Sequence, residues 1–250
     1  MEDYIDKSKT LLKRKINADT KNFQLYYTES EIDNLLSTAA SKGLNNNDAA
    51  GIIQQACRRR NPEYIASLDE LKLRMNEIIL VRKRGYPYPF TSKAAFDDYV
   101  QNKIVPFLDM FGLPKKNVRY GGSGLTSAVS FSPGAQDTDW WIFFDNKLEE
   151  QAFVEELANR YVKYQEDGLI SGTTRRNKMK RIKERYARDG FIRGEYVTAV
   201  VDNEVKDWRA LGEDGGDGWV DEYFGETPSD VTLKVLGENE PIPYVIYKLD

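Results

Sequence analysis

Apolar residues recur at helical spacing along the first third of the chain. Thr28 with Glu31, and Ser67 with Glu70, form capping-box patterns, in which a hydroxyl precedes a carboxylate by three positions. Gly43 is a natural stop for the first helix, and Asn46-Asn47-Asp48 opens the next one. The inward positions of the three helices are Ile32, Leu35, Leu36 and Ala39; Ile52, Ile53, Ala56 and Cys57; and Leu68, Leu71, Met75, Ile78 and Ile79. The pattern predicts a helical N-terminal region that ends near Arg84.

The stretch Gly85–Pro89 is the strongest linker signal, because two prolines with aromatic neighbours enforce an extended path. Beyond it, Ser92 is expected to cap a helix that begins at about Lys93 and ends at Gly112. The inward side chains of this helix are Phe96, Tyr99, Val100, Ile104 and Phe107. Pro106 is expected to kink it.

The second half of the chain alternates strand and helix patterns. Strands are expected at Val118–Tyr120, Asp139–Phe144, Glu195–Asp202, Val231–Leu236 and Pro243–Leu249, and helices at Lys147–Gln165, capped by Asp145, and at Thr174–Arg188. The strand Asp139–Phe144 is apolar on both faces, which predicts a central position in a sheet. The expected class is α+β, a helical N-terminal region followed by a small mixed sheet flanked by helices. Its expected parts are 1–86, helical; 87–210, an α/β core; and 211–250, a C-terminal loop and strands.

Composition narrows the chemistry that this fold can carry. The 250 residues include no histidine and one cysteine, Cys57. Zinc sites built on His and Cys, Ser-His-Asp triads and histidine bases are therefore excluded, as is an intrachain disulfide. Catalysis must use carboxylates, Lys, Arg, Tyr, Ser or a metal with oxygen ligands, which favours magnesium, manganese or calcium.

The stretch Tyr120–Asp145 places a glycine turn (Gly121–Gly124) before an acid pair (Asp137 and Asp139). Backbone N–H groups in such a turn form a cradle for an anion, and the Ser123 hydroxyl can bond a phosphate oxygen. The acid pair lies two apart, so both side chains point to one face of a strand. Two adjacent carboxylates repel each other unless a cation lies between them. The order predicts a phosphate cradle followed by a site for a divalent metal.

These residues resemble the nucleotidyltransferase superfamily of the DNA polymerase β type. That family carries Gly-Gly or Gly-Ser, a spacer, and Asp-x-Asp beside apolar strand residues; here Gly122-Ser123 precede the acid pair, and Trp140-Trp141-Ile142 follow it. Thr138 departs from the apolar residue that is usual between the acids. The resemblance implies a nucleotidyltransferase-like fold, with Gly122 and Ser123 on the nucleotide phosphates and Asp137 and Asp139 on Mg²⁺ or Mn²⁺. It also implies transfer of a nucleotide from a nucleoside triphosphate to a hydroxyl acceptor.

The family also has a third carboxylate on a later strand, which activates the acceptor hydroxyl. Asp202 is the candidate because it ends the β-branched run from Tyr196; Glu195 and Glu204 are rivals. The basic segment Thr174–Arg188, with Arg175 and Arg176 at its start, can hold the triphosphate tail or an acceptor nucleic acid. The expected acceptor of the transfer is RNA or protein.

A non-catalytic interpretation stays open for each of these features. The glycines can form a plain tight turn, the acids a solvated turn or cap, and the basic helix a solvated face. The chain would then be an assembly or adaptor component, for example of a virus particle, and could form an oligomer or larger assembly through its many aromatic residues. The formal net charge of −4 argues against a protein that coats nucleic acid over its whole surface. The charged N-terminus and the lack of a long apolar run predict a cytoplasmic protein, or one inside a particle assembled in the cell, with no membrane partner.

Overall fold

The computed structural model describes residues 1–58, 65–88, 90–125, 138–192, 196–207, 223–224, 229–237, 244–247 and 249. Within these residues the fold mixes helices with short strands and is mostly helical, which confirms the expected α+β class at this coarse level. The chain divides into two compact units. Unit 1 comprises Met1–Phe96, Tyr120–Thr138 and Glu240–Val245, and unit 2 comprises Asp97–Arg119, Asp139–Asn239 and Ile246–Asp250.

Unit 1 is built mainly from helices. They are α1 (Glu2–Ala18), α2 (Glu29–Ser41), α3 (Asn46–Ala56) and α4 (Leu68–Arg84). The capping boxes predicted at Thr28 and Ser67 are both present, and Asn45 with Asp48 forms a third one at the start of α3. Helix α4 ends at Gly85 in the left-handed conformation, with a φ of 82°. The N-terminal helical region is thus confirmed.

The core of unit 1 is formed by the apolar faces of these helices. Leu35, Leu36, Ile52, Ile53, Cys57, Leu71, Met75 and Ile78 are essentially inaccessible to solvent. Polar contacts tie α1 to the start of α3, because the Tyr4 hydroxyl donates to Leu44 O at 2.8 Å and the Asn46 amide donates to Tyr4 O at 2.9 Å. Burial raises the pKa of the Cys57 thiol, which marks it as a core residue and not a reactive nucleophile.

The helix predicted to begin at Lys93 is interrupted by one wide turn. Helix α5 (Lys93–Tyr99) continues into a π-helical turn (Val100–Ile104), and α6 (Val105–Phe111) follows. In the wide turn the Val105 N–H donates to Val100 O, five residues back. Pro106 follows directly and cannot donate a backbone hydrogen bond, so the expected kink takes the form of a π turn. Gly112 ends α6 in the left-handed conformation, as predicted.

Two sheets complete the fold. The larger has the strand order β5-β2-β1-β6 and the smaller is an antiparallel pair, β3 and β4. The strands are β1 (Val118–Gly121), β2 (Thr138–Phe144), β3 (Thr198–Val201), β4 (Glu204–Asp207), β5 (Ser229–Val235) and β6 (Tyr244–Tyr247). Strand β2 lies between two neighbours and is buried on both faces, which confirms the predicted central position.

Two long helices of unit 2 pack against each other. They are α7 (Lys147–Glu166) and α8 (Gly172–Asp189), close to the bounds predicted for both. The predicted cap of α7 is wrong, because Asn146 and not Asp145 accepts from the Glu149 N–H. The Asp145 carboxylate instead accepts from the side chains of Lys116 and Asn117. Two residues distant in sequence therefore hold the Asp145 carboxylate, and the neighbouring Asn146 caps α7 instead.

Candidate nucleotide site

The glycine turn follows β1 directly. Gly121 ends the strand, and Gly122 has a φ of 64°, a left-handed conformation that glycine adopts without strain. A 3-10 turn then runs over Gly122–Leu125, and Leu125 is buried. The backbone therefore turns sharply where the sequence predicts a phosphate cradle. The side chain of Ser123 lies outside the described part of the chain.

The second acid of the pair lies at the start of the central strand. Asp139 is the one position of β2 that is not fully buried, and its side chain is half-buried. Alternation along the strand places it on the face opposite Thr138 and Trp140. Asp137 lies outside the described residues, so the distance between the two carboxylates is not defined.

The tryptophan after Asp139 packs in the core of unit 2. Trp140 is fully buried and makes an edge-on contact with the Tyr247 ring at a centroid distance of 6.3 Å. The Tyr247 hydroxyl donates to Asp97 Oδ1 at 2.6 Å. Trp141 is also buried, so both tryptophans are core residues.

Thr138, between the two acids, is fully buried, and its hydroxyl has no hydrogen-bond partner among the described residues. We expect Thr138→Val to raise the free energy of unfolding by about 1 kcal/mol, because it replaces an unsatisfied buried hydroxyl by a methyl group of the same shape. The corresponding rise in melting temperature is about 2–4 °C and is measurable by calorimetry.

The matched control for this substitution is Thr198→Val. Thr198 is equally buried, but its hydroxyl lies 3.4 Å from the Tyr164 hydroxyl, within hydrogen-bond distance. Its loss should lower the melting temperature. A loss of stability in Thr138→Val as large as in Thr198→Val would mean that the Thr138 hydroxyl has a partner.

Asp202, the candidate third carboxylate, lies in a tight turn. Asp202 and Asn203 have φ values of 51° and 62°, and they close the β3–β4 hairpin, in which Val201 pairs with Glu204. This is the geometry of a type I′ turn, which requires a positive φ at both central residues. The strand predicted over Glu195–Asp202 is therefore shorter than expected, and Asp202 is exposed at its tip.

The hairpin belongs to a different sheet from β2. The described neighbours of β2 are β5 and β1, so Asp202 does not lie on a strand paired with that of Asp139. Of the rivals, Glu204 is exposed and pairs with Lys206, which holds its pKa below the usual range. Glu195 lies outside the described residues.

Arg175 and Arg176 are the fourth and fifth residues of α8. The Ser171 side chain caps this helix by accepting from the Thr174 N–H at 3.1 Å, and no acid is present in the first turn. Arg176 is exposed, whereas Arg175 is half-buried and its Nε has no hydrogen-bond partner among the described residues. Helix α8 carries eight basic residues against two acids. Its N-terminus therefore joins two arginines to the positive end of the helix dipole.

No group of three or more Cys, Asp or Glu side chains in the described part of the chain is placed to hold a metal ion. No described helix is long and apolar enough to cross a bilayer. Neither a protein-family model, nor a curated protein, nor a solved structure matches this chain. The functional argument therefore depends on the residues themselves.

Two functional candidates escaped the sequence analysis. Lys234 is a half-buried lysine on β5, and burial lowers the pKa of its amine. Glu150 on α7 is almost fully buried and accepts hydrogen bonds from the Ile192 N–H and the Tyr186 hydroxyl. Alternation along Val231-Thr-Leu-Lys-Val235 places Lys234 on the face opposite the buried Val231, Leu233 and Val235, so the strand pattern does not signal its burial. The partners of Glu150 are distant in sequence.

Proposed function

We propose that this chain transfers a nucleotide from a nucleoside triphosphate to a hydroxyl acceptor, with Asp137 and Asp139 as ligands of Mg²⁺ or Mn²⁺. The observation that carries the proposal is the order of elements along the chain. The glycine turn follows β1 directly, and the acid pair stands where the central strand β2 begins. The half-buried Asp139 at the start of a buried strand fits a carboxylate that must reach a ligand.

The chemistry divides among a few groups of the chain. Oxygen ligands such as Asp137 and Asp139 suit a hard divalent cation, which when bound neutralises charge on the phosphates. The N–H groups of Gly122 and Ser123 hold phosphate oxygens in the turn. A further carboxylate, for which Asp202 is the candidate, accepts the proton of the attacking hydroxyl.

The start of α8 supplies a site for phosphate or a polyanionic acceptor. Two arginines at the positive end of a helix repel each other and the dipole, and an anion bound there relieves both repulsions. The unpartnered Nε of the half-buried Arg175 supports this assignment. Arg175 and Arg176 are therefore the proposed contacts of the triphosphate tail or of a polyanionic acceptor.

Incubation with labelled triphosphates, magnesium or manganese, and separate RNA and protein acceptors tests the proposal. We expect label to appear on one class of acceptor and to depend on the metal, because the pyrophosphate leaving group needs charge neutralisation. Absence of both transfer and triphosphate binding would contradict the proposal.

Replacement of both arginines tests the role of α8. We expect Arg175→Ala with Arg176→Ala to weaken binding of triphosphate or RNA by at least about tenfold, because charge-assisted hydrogen bonds of about 1.5–3 kcal/mol are lost. Fluorescence titration at several salt concentrations measures the affinity, and the salt dependence should also decrease.

Arg188→Ala is the control at the other end of α8, where it removes one arginine charge against the two removed by the double variant. Arg188 pairs with the adjacent Asp189 at 2.7 Å. Equal losses in the two variants would indicate a general charge effect and would contradict a site at Arg175 and Arg176.

A second candidate function, an assembly component, is favoured by one surface. Leu73 and Leu80 lie seven residues apart on α4, and each is about half exposed, at 49% and 51%. Exposed leucines on one helical face are typical of a contact between protein chains. A defined oligomer in sedimentation experiments, together with no transfer activity, would favour this function.

A further inference from the structure

A small cavity of unit 2 lies apart from the residues of the proposed nucleotide site. Its volume is about 210 Å³, and it is lined by Glu150 of α7, by Asp189, Gly190 and Phe191 at the end of α8, and by Lys234 of β5. At about 30 Å³ for each water-sized group, it holds about seven non-hydrogen atoms. A ligand of this cavity is therefore a small molecule.

Lys234 is the unusual member of this lining. Its side chain is half-buried, and the described residues offer its amine no hydrogen bond or ion pair. Burial without a compensating anion lowers the pKa of this amine. A larger fraction of Lys234 is therefore unprotonated at neutral pH than of an exposed lysine, and an unprotonated amine is a nucleophile.

The acids around the cavity are already engaged with other groups. Glu150 accepts from the Ile192 N–H and the Tyr186 hydroxyl, each at 3.0 Å, and it also pairs with Lys147. Asp189 pairs with Arg188. Neither carboxylate contributes to the shift at Lys234, whose cause is burial.

The negative groups around the cavity are already compensated. Glu150 pairs with Lys147, Asp189 pairs with Arg188, and Lys147 also donates to the carbonyl oxygen of Gly190, the C-cap of α8. An uncharged ligand leaves these pairs intact, whereas an ionic ligand would have to compete with them. Among small uncharged ligands, an aldehyde or ketone is the class that uses an unprotonated amine.

We propose that the cavity at Lys234 binds a small uncharged aldehyde or ketone, which condenses with the lysine amine. The amine nitrogen attacks the carbonyl carbon, and the carbinolamine loses water to give an imine. The carbonyl oxygen leaves as water with the two amine protons, so no oxidant or reductant is needed. This inference does not depend on the proposed nucleotide transfer.

Reductive trapping of the imine tests the proposal. The intact protein is treated with glyceraldehyde and sodium cyanoborohydride at neutral pH, and modification of each lysine is followed over time by peptide mass spectrometry. We expect Lys234 to react several-fold faster than Lys180, an exposed lysine of α8. The rate at Lys234 should saturate with aldehyde concentration, since the cavity binds before it reacts, whereas the rate at Lys180 should stay linear.

Raising the pH separates the two causes of faster reaction at Lys234, which are the lowered pKa of its amine and the binding of the aldehyde in the cavity. At high pH both amines are unprotonated, so the part of the Lys234 advantage that comes from its lowered pKa should disappear, while the saturable part that comes from binding should remain. Lys234→Met should remove the saturable component. A rate at Lys234 no faster than at Lys180 at neutral pH, or a linear concentration dependence, would overturn the proposal. Selective protection of Lys234 by inorganic phosphate would identify an anion site and would overturn it as well.

Discussion

Replacing Asp137 and Asp139 together by asparagine is expected to abolish nucleotide transfer. Asparagine keeps the size of the side chain but removes the charge that holds the divalent cation. Charge stabilisation by such a cation is worth several kcal/mol in the transition state, and each 1.4 kcal/mol is a factor of about ten in rate. We therefore expect a decrease of at least about a thousandfold in single-turnover label transfer. Calorimetric titration with magnesium and triphosphate should show the matching loss of binding.

Asp145→Asn provides the control for this double substitution. Asp145 follows the same strand, but its carboxylate accepts from Lys116 and Asn117 at a distance of six residues from Asp139 along the chain. We expect near-normal transfer in this variant. Transfer by the Asp137/Asp139 variant at the rate of the unaltered protein would show that the acid pair is not catalytic.

Asp202→Asn separates a catalytic role of Asp202 from its role in the hairpin turn. Asparagine adopts a positive φ as readily as aspartate, so the turn at Asp202-Asn203 should persist. A fall in transfer rate with unchanged triphosphate binding would identify Asp202 as the third carboxylate. An unchanged rate would mean that Asp202 only supports the hairpin turn. The acceptor hydroxyl would then be activated by another acid.

The parts of the fold that could be predicted are those set by local sequence. The capping residues Thr28 and Ser67 act on backbone groups three positions away, and Gly112 supplies a left-handed residue at a helix end. The burial of β2 on both faces is also local information, because it is visible in the run Trp140–Phe144. Helix caps and the burial of a strand thus depend on residues that are close together in the sequence.

The sequence-based predictions are wrong where a contact distant in sequence or a special backbone conformation determines the local structure. Asp145 lost its expected capping role to Asn146 because Lys116 and Asn117 approach its carboxylate. The run Glu195–Asp202 suggested one strand, yet the dipeptide Asp202-Asn203 adopts two positive φ values and starts a hairpin. Asp and Asn both tolerate a positive φ, so the dipeptide itself marks the turn that ends the strand.

The positions of the candidate site residues along the strands could be predicted from the sequence, but the pairing of those strands could not. The glycine turn and Asp139 fall at strand ends as expected, because glycine content and strand alternation are local. The placement of Asp202 in a separate sheet depends on strand pairing, which single-sequence periodicity does not encode. The same holds for the pair of Asp48 and Arg82, which are 34 residues apart.

Breaking that pair is expected to give the largest loss of stability. Asp48 is fully buried, and its carboxylate accepts from Arg82 Nη1 at 2.6 Å and Nη2 at 2.8 Å. Arg82→Met leaves a buried carboxylate without its cation, which should lower the free energy of unfolding by about 3–5 kcal/mol. The midpoint of urea unfolding measures this change, provided the slope is unchanged.

Asp48→Ala should cost less, about 2–3 kcal/mol, because the Arg82 side chain is 30% exposed and water can hydrate its charge once the carboxylate is gone. The substitution also removes the Asp48 half of the capping box at the start of α3. The double variant should cost less than the sum of the two, since the residues contact each other directly.

Lys72→Met on the same helix is the control for the pair. Lys72 lies 3.7 Å from Asp69, whose side chain is 91% exposed, and surface pairs of this kind contribute at most about 1 kcal/mol. A loss in Arg82→Met no larger than in Lys72→Met would mean that water reaches Asp48 in solution. Strict additivity in the double variant would mean that the two side chains do not interact, so the attachment of α3 to α4 would then depend on apolar packing alone.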